Sequence, residues 1–119
     1  MQYALLIYDD ESAFSQLTEQ DSQAIMGEYG AYTQELRDRD AMRSGAPLRP
    51  TTTATTVRVR NGETLTTDGP FAETKEQLGG FYLIDAASLD EALEWAAKIP
   101  SARFGSIEVR PVAEMGGDA

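Results

Sequence analysis

The chain has 119 residues, of which 41% are apolar and 25% charged, a composition typical of a folded domain rather than a disordered one. It contains no cysteine and no histidine, which excludes disulfides, thiolate metal sites, thiol nucleophiles, the usual general base and the usual haem ligand. Its net charge of −10 repels phosphate backbones and anionic lipids, so no nucleic acid and no membrane is expected as a partner.

Residues 3–8 (Tyr-Ala-Leu-Leu-Ile-Tyr) read as a strand with no polar face. This is the longest apolar run, far too short for a membrane span, and no basic leader precedes it, so a cytoplasmic location is expected. Asp9-Asp10-Glu11 reads as a solvated charged loop whose spacing matches no calcium loop, and no metal site is expected. Thr18 is placed as an N-cap with Asp21 three residues on, opening a helix that runs to about residue 41. Ile25, Tyr29, Tyr32 and Leu36 form its inward stripe, widened by Met26 and Thr33. Gly27 and Gly30 either bring that helix close to a sheet or weaken it by roughly 1 kcal/mol each.

A short edge strand is expected over 42–48, broken by Pro47 and Pro50, followed by extended backbone in the threonine-rich run 51–56. Alternating segments at 57–60 and 63–66 flank Asn61-Gly62, the signal for a type I′ hairpin. A turn at Asp68-Gly69-Pro70-Phe71 and a charged connector over 73–76 lead into a second two-faced apolar strand at 81–84. Ser88 and Glu91 form a capping box for a second helix, with Leu89, Ala92, Leu93 and Ala96 as its inward stripe and Pro100 as its stop. Trp95 is read as packing beside that stripe. In the last strand Ile107 and Val109 alternate with Glu108 and Arg110. Residues 1–112 form one domain in this reading, and 113–119 a frayed tail.

The order strand, helix, strand, hairpin, strand, helix, strand gives an α+β ferredoxin-like sandwich with an inserted β-hairpin, its first and third main strands central. Two helices cover only one face of such a sheet. The other face then exposes about five apolar side chains from the two central strands, on the order of 10 kcal/mol of unused burial whichever parity faces out. Either the hairpin folds back over that face or a second sheet stacks on it, and a face-to-face homodimer is the favoured arrangement.

The segment Asp68-Gly69-Pro70-Phe71-Ala72-Glu73-Thr74-Lys75-Glu76-Gln77-Leu78-Gly79-Gly80-Phe81-Tyr82 resembles the signature of the DGPF proteins, a branch of the YCII-related family. Similarity continues through Leu89-Asp90-Glu91-Ala92 and Ile107-Glu108-Val109-Arg110-Pro111, so it spans most of the chain. The resemblance implies a dimeric α/β barrel, and it implies proximity to extracytoplasmic-function sigma factors, beside which many DGPF proteins occur. A His–Asp dyad proposed for other YCII-like members cannot be carried over to a chain without histidine. Asp68 stands where its acidic half would fall, and no catalytic role is assigned to it on that ground. No cofactor is expected; the haem-binding relatives of the fold want the missing histidine.

Five residues are candidates for a pocket between two subunits: Tyr8, Asp68, Tyr82, Glu108 and Arg110. Each also has a plain structural reading, as a core tyrosine, a turn-forming Asp, or an ion pair at the barrel rim. Glu73 and Lys75 form a candidate lid, against the reading of a solvated loop. The leading expectation is a small-molecule-binding dimer, either a vestigial or a cofactor-independent enzyme. The alternative is a regulatory module that meets a sigma factor through its acidic first helix.

Overall fold

A computed structural model describes residues 1–114, so most of the tail expected at 113–119 lies outside the described residues. Nine elements follow one another: β1 (Gln2–Asp9), α1 (Glu11–Phe14), α2 (Glu19–Asp38), β2 (Met42–Pro47), β3 (Thr55–Arg60), β4 (Glu63–Asp68), β5 (Gln77–Asp85), α3 (Leu89–Ala97) and β6 (Ser106–Pro111). Short 3₁₀ turns lie at Thr51–Thr53 and Pro100–Arg103. Four strands form an antiparallel sheet in the order β2-β5-β1-β6, and β3 pairs with β4 as a separate hairpin. The two apolar strands, β1 and β5, are therefore central, as the sequence pattern requires.

The register settles the parity that sequence leaves open. Leu5 pairs with Tyr82 and Tyr3 with Ile84, and all four are buried beneath the helices. Ala4, Leu6, Tyr8, Phe81 and Leu83 lie half-buried on the opposite face, which no helix covers. Ile107 and Val109 pack against the core, which leaves Glu108 and Arg110 on the uncovered side, where they pair with each other.

Both long helices begin at the expected caps. The Asp21 amide donates to Thr18 Oγ1 at 3.1 Å and the Glu91 amide to Ser88 Oγ at 3.2 Å. The inward faces differ from expectation. In α3, Leu89 and Leu93 are 49% and 47% exposed while Trp95 is 6% exposed. The helix is turned because Trp95 packs edge-on against Tyr32 at 6.0 Å, and the Tyr32 hydroxyl donates to the Trp95 carbonyl at 2.9 Å. In α2, Tyr32 and Leu36 are buried but Met26 is 73% exposed. Cβ atoms added at Gly27 and Gly30 would meet nothing within 4 Å. These glycines thus bring no close approach to the sheet; they only loosen the helix.

Two further local corrections concern loops. Asp10 caps the short helix α1, which was expected to be loop, and Thr51–Thr53 forms a 3₁₀ turn where extended backbone was expected. Glu11 holds that turn: its carboxylate accepts from the Thr51 amide at 2.9 Å and the Thr51 hydroxyl at 2.8 Å. The hairpin follows the Asn-Gly rule, with Asn61 at φ 52° and Gly62 at φ 80°. It does not fold back over the sheet. Every β4 residue is exposed, and Val57 and Val59 are 59% and 60% exposed. The radius of gyration of 16.5 Å exceeds the roughly 13.5 Å of a compact chain this long, as a projecting arm requires.

Candidate functional site

Three consecutive acids at the end of β1 do three different jobs. Asp10 accepts from the Ser12 hydroxyl at 2.6 Å and from its amide at 3.0 Å, and these bonds hold its carboxyl below the usual carboxylate range. Glu11 clamps the Thr51 turn. Asp9 points inward. Its Oδ1 is buried without a hydrogen bond of normal geometry, the one such side-chain atom among the described residues, because the nearby Ser101 hydroxyl is engaged with Tyr29. Burial pushes the Asp9 carboxyl above its usual range; the Ser101 hydroxyl pulls it back down and the negative charge of Glu76 adds to the rise. The two neighbouring acids are thus driven in opposite directions, Asp10 by its capping bonds at the exposed start of α1 and Asp9 by burial.

The backbone around Asp9 is shaped to receive it. A Cβ at Gly105 would stand 2.0 Å from the Tyr8 carbonyl oxygen and 2.7 Å from Asp9 Oδ1. Only glycine lets the turn before β6 pass so close to the end of β1. That same turn brings Ser101, 1% exposed, beneath α2, where its hydroxyl and the Tyr29 hydroxyl share a hydrogen bond of 2.5 Å. Burial raises the Tyr29 hydroxyl above its ordinary range, the Ser101 bond opposes this, and the Asp9 charge reinforces it.

Asp9, Tyr29 and Ser101 line a cavity of about 450 Å³ between α2 and the sheet. Its floor is low because the strands beneath it carry glycine. Gly45 is paired with Tyr82 and Gly80 with Ile7, so both face the helix side yet send nothing into the space. The Tyr82 hydroxyl and Thr33 Oγ1 share a 2.8 Å hydrogen bond on the cavity wall. Ile7, Phe14 and Met42 add apolar surface, and Met26 and Arg37 lie on its α2 side. The arrangement offers one desolvated carboxylate, a row of hydroxyls and apolar walls large enough for a ring-sized molecule. No group of three or more metal-ligating side chains occurs among the described residues.

A larger hollow of about 640 Å³ lies near Met1, Asp85, Glu91 and Lys98. Its charges already answer one another: the Met1 ammonium meets Asp85 at 3.0 Å and Glu91 accepts from the Ala87 amide at 3.1 Å. It holds no buried unsatisfied group and reads as solvated surface.

The residues selected from sequence are not gathered into one place within the chain. Tyr8, Glu108 and Arg110 share the uncovered sheet face, with Glu108 beside Leu6 and Arg110 beside Ala4 in the register. Tyr82 faces the other way, since neighbouring strand positions alternate, and it alone of the five lines the cavity. Asp68 ends β4 opposite Thr55, exposed in the hairpin arm, and its turn is held by the Gly69 amide on the Ala54 carbonyl at 2.7 Å. Glu73 and Lys75 are exposed in the connector and do not line the cavity.

The sequence pattern reads Asp9 as part of a solvated loop and Tyr29 and Thr33 as the inward stripe of a helix, and it does not single out Ser101. The signal that pointed to them was glycine within strands, at Gly45 and Gly79-Gly80, which marks a place where something other than a side chain is meant to approach.

The YCII-related domain matches residues 1–116. The chain belongs to that family. A curated relative, an uncharacterised protein of Rhizobium meliloti (strain 1021), is 48% identical over 115 residues, covering 95% of this YCII chain and 93% of the relative. Among solved structures, this YCII chain is similar to the 5-chloro-2-hydroxyhydroquinone dehydrochlorinase of Burkholderia phenoliruptrix AC1100, determined in complex with 2,5-dihydroxybenzoquinone. That similarity has a TM-score of 0.50 at 17% identity and covers 97% of this chain and 96% of the other, a likeness of fold. Among the described residues no helix is long and apolar enough to cross a membrane.

Proposed function

We propose that this YCII protein, of the DGPF branch, binds a small hydroxylated ring compound in the glycine-floored cavity between α2 and the sheet. The observation that carries the reading is Asp9: a half-buried carboxylate on the cavity lining, whose charged form burial disfavours, is stabilised by any donor that reaches it, and a ligand hydroxyl is such a donor. The apolar walls and the hydroxyls of Tyr29, Ser101, Thr33 and Tyr82 suit a flat ring with polar substituents. The dihydroxybenzoquinone held by the dehydrochlorinase of similar fold belongs to that chemical class. Asp9, with its carboxyl raised, is also the group best suited to take a proton from such a ligand.

The test is binding of a panel of hydroxylated benzoquinones and phenols, followed by thermal shift and by amide NMR. The expected result is a rise in Tm with resonance changes at Thr33, Gly79, Gly80 and Ser101, abolished by the cavity-filling change Thr33→Phe. If no member at millimolar concentration moves those resonances, the reading is overturned.

The uncovered sheet face supports a second copy of the chain as its partner, giving a dimeric α/β barrel. Ala4, Leu6, Tyr8, Phe81 and Leu83 form its apolar middle, and Glu108 and Arg110 stand at its edge. A two-fold axis would bring the same patch of both copies together, which is the commonest form of a homodimer. Sedimentation at micromolar concentration is expected to show a dimer that Leu6→Arg converts to a 13.0 kDa monomer. A wild-type monomer at that concentration would remove the proposal.

A further inference from the structure

The cavity has two chemically different ends. Along α2 its lining residues are Met26, Tyr29, Thr33 and Arg37, at spacings of three, four and four, so one face of the helix roofs the whole length. The helical rise places Tyr29 and Arg37 about 12 Å apart along the axis. Asp9 lies at the Tyr29 end, beside the Tyr29–Ser101 hydrogen bond. Arg37 lies at the other end, in the last turn of α2, near Met42 at the start of β2. Arg37 is the one basic residue lining the cavity. Arg43, Lys98, Arg103 and Arg110 are each engaged by a carboxylate; Arg37 joins no ion pair among the described residues, and of the basic residues without one it alone lines the cavity.

From this polarity we infer that the preferred ligand is an elongated, mostly apolar ring compound with a hydroxyl at one end and a carboxylate at the other. The hydroxyl donates to Asp9, and the carboxylate pairs with Arg37. The reverse orientation is disfavoured, because an anion at the inner end would face the charges of Asp9 and Glu76, which already act on each other there. A neutral compound leaves Arg37 without a partner, and an anion without a hydroxyl offers the Asp9 carboxylate no donor. In a chain of net charge −10, a cation on the cavity lining also offsets the repulsion of an anionic ligand there.

This inference rests on the cavity being a binding site, and the experiment separates the two. The probe is 4-hydroxycinnamate, compared with cinnamate, which lacks the hydroxyl, and 4-vinylphenol, which lacks the carboxylate. Affinities come from calorimetry and location from amide NMR at Thr33, Gly79 and Gly80. The expected result is that 4-hydroxycinnamate binds about tenfold more tightly than either analogue, as one added charge-assisted hydrogen bond supplies. Arg37→Gln is expected to erase the advantage over 4-vinylphenol while leaving 4-vinylphenol itself within about twofold. Asp9→Leu is expected to erase the advantage over cinnamate, and Asp9→Ala serves if the leucine variant does not fold. If 4-vinylphenol binds in the cavity as tightly as 4-hydroxycinnamate and Arg37→Gln changes nothing, the polarity falls and the cavity reading stands. If none of the three moves a cavity resonance, both fall together.

Discussion

Leu5 and Leu6 are neighbours in β1, yet Leu5 is fully buried beneath the helices and Leu6 lies half-buried on a face that nothing in the chain covers. The comparison extends along the whole sheet. The covered face is closed by Tyr32, Leu36 and Trp95 over one part and left hollow over another, where glycine floors the space. The uncovered face is a continuous apolar surface edged by one ion pair. One side therefore encloses a hollow, and the other leaves apolar side chains uncovered. A single alternating strand serves both, because adjacent side chains point in opposite directions.

The largest expected effect separates the two leucines. Leu5→Ala leaves a void in a closed core and is expected to cost about 3 kcal/mol of unfolding free energy at any protein concentration. Leu6→Ala is expected to cost less in each subunit and to show a loss that grows with protein concentration, since it weakens association. Denaturation at two concentrations checks this, and equal, concentration-independent losses would break the contrast between the faces. Next is Gly105→Ala, whose methyl would overlap the Tyr8 carbonyl oxygen. About 2–3 kcal/mol of destabilisation is expected, together with altered ligand binding through the displaced Asp9. Wild-type stability there would show that the acid end of the cavity is not held by close backbone contact.

Tyr32→Phe removes the donor to the buried Trp95 carbonyl and is expected to cost about 1–2 kcal/mol in urea unfolding. The smallest effect is electrostatic. Because the folded Asp9 carboxyl lies above its ordinary value of 3.8, the native state holds its proton more firmly than the unfolded chain does. Stability from this group is therefore highest at low pH and declines as pH rises from the usual carboxylate range through the raised folded value. Asp9→Asn is expected to gain on the wild type over that interval. An urea midpoint difference that is the same at pH 3 and pH 7 would contradict the raised carboxyl.

Much of the frame was legible because it is written in local chemistry. Asn61-Gly62 demands positive φ at two successive residues, and Thr18 and Ser88 offer hydroxyls to free amides. Helix rotation was not legible. In α3 two stripes have helical spacing, one through Leu93 and one through Trp95, and the choice rests with Tyr32, sixty-three residues away. Parity in β1 was hidden for the same reason, since both faces are apolar until a helix selects one. Asp9 was hidden by its company. Within an acidic triplet it looks like part of a solvated run, and only the passage of Gly105 and Ser101 overhead separates it from Asp10.

The hollow under α2 also leaves the first half of that helix lightly moored. Between residues 19 and 31 no side chain is buried, two glycines loosen the backbone, and the ties to the body are Tyr29 to Ser101 and Glu28 to Arg103 at 2.6 Å. Amide exchange should accordingly be fast there and slow from Tyr32 onward. A molecule filling the void would supply the missing neighbours, so occupancy and the ordering of that stretch are thermodynamically linked: each makes the other more favourable.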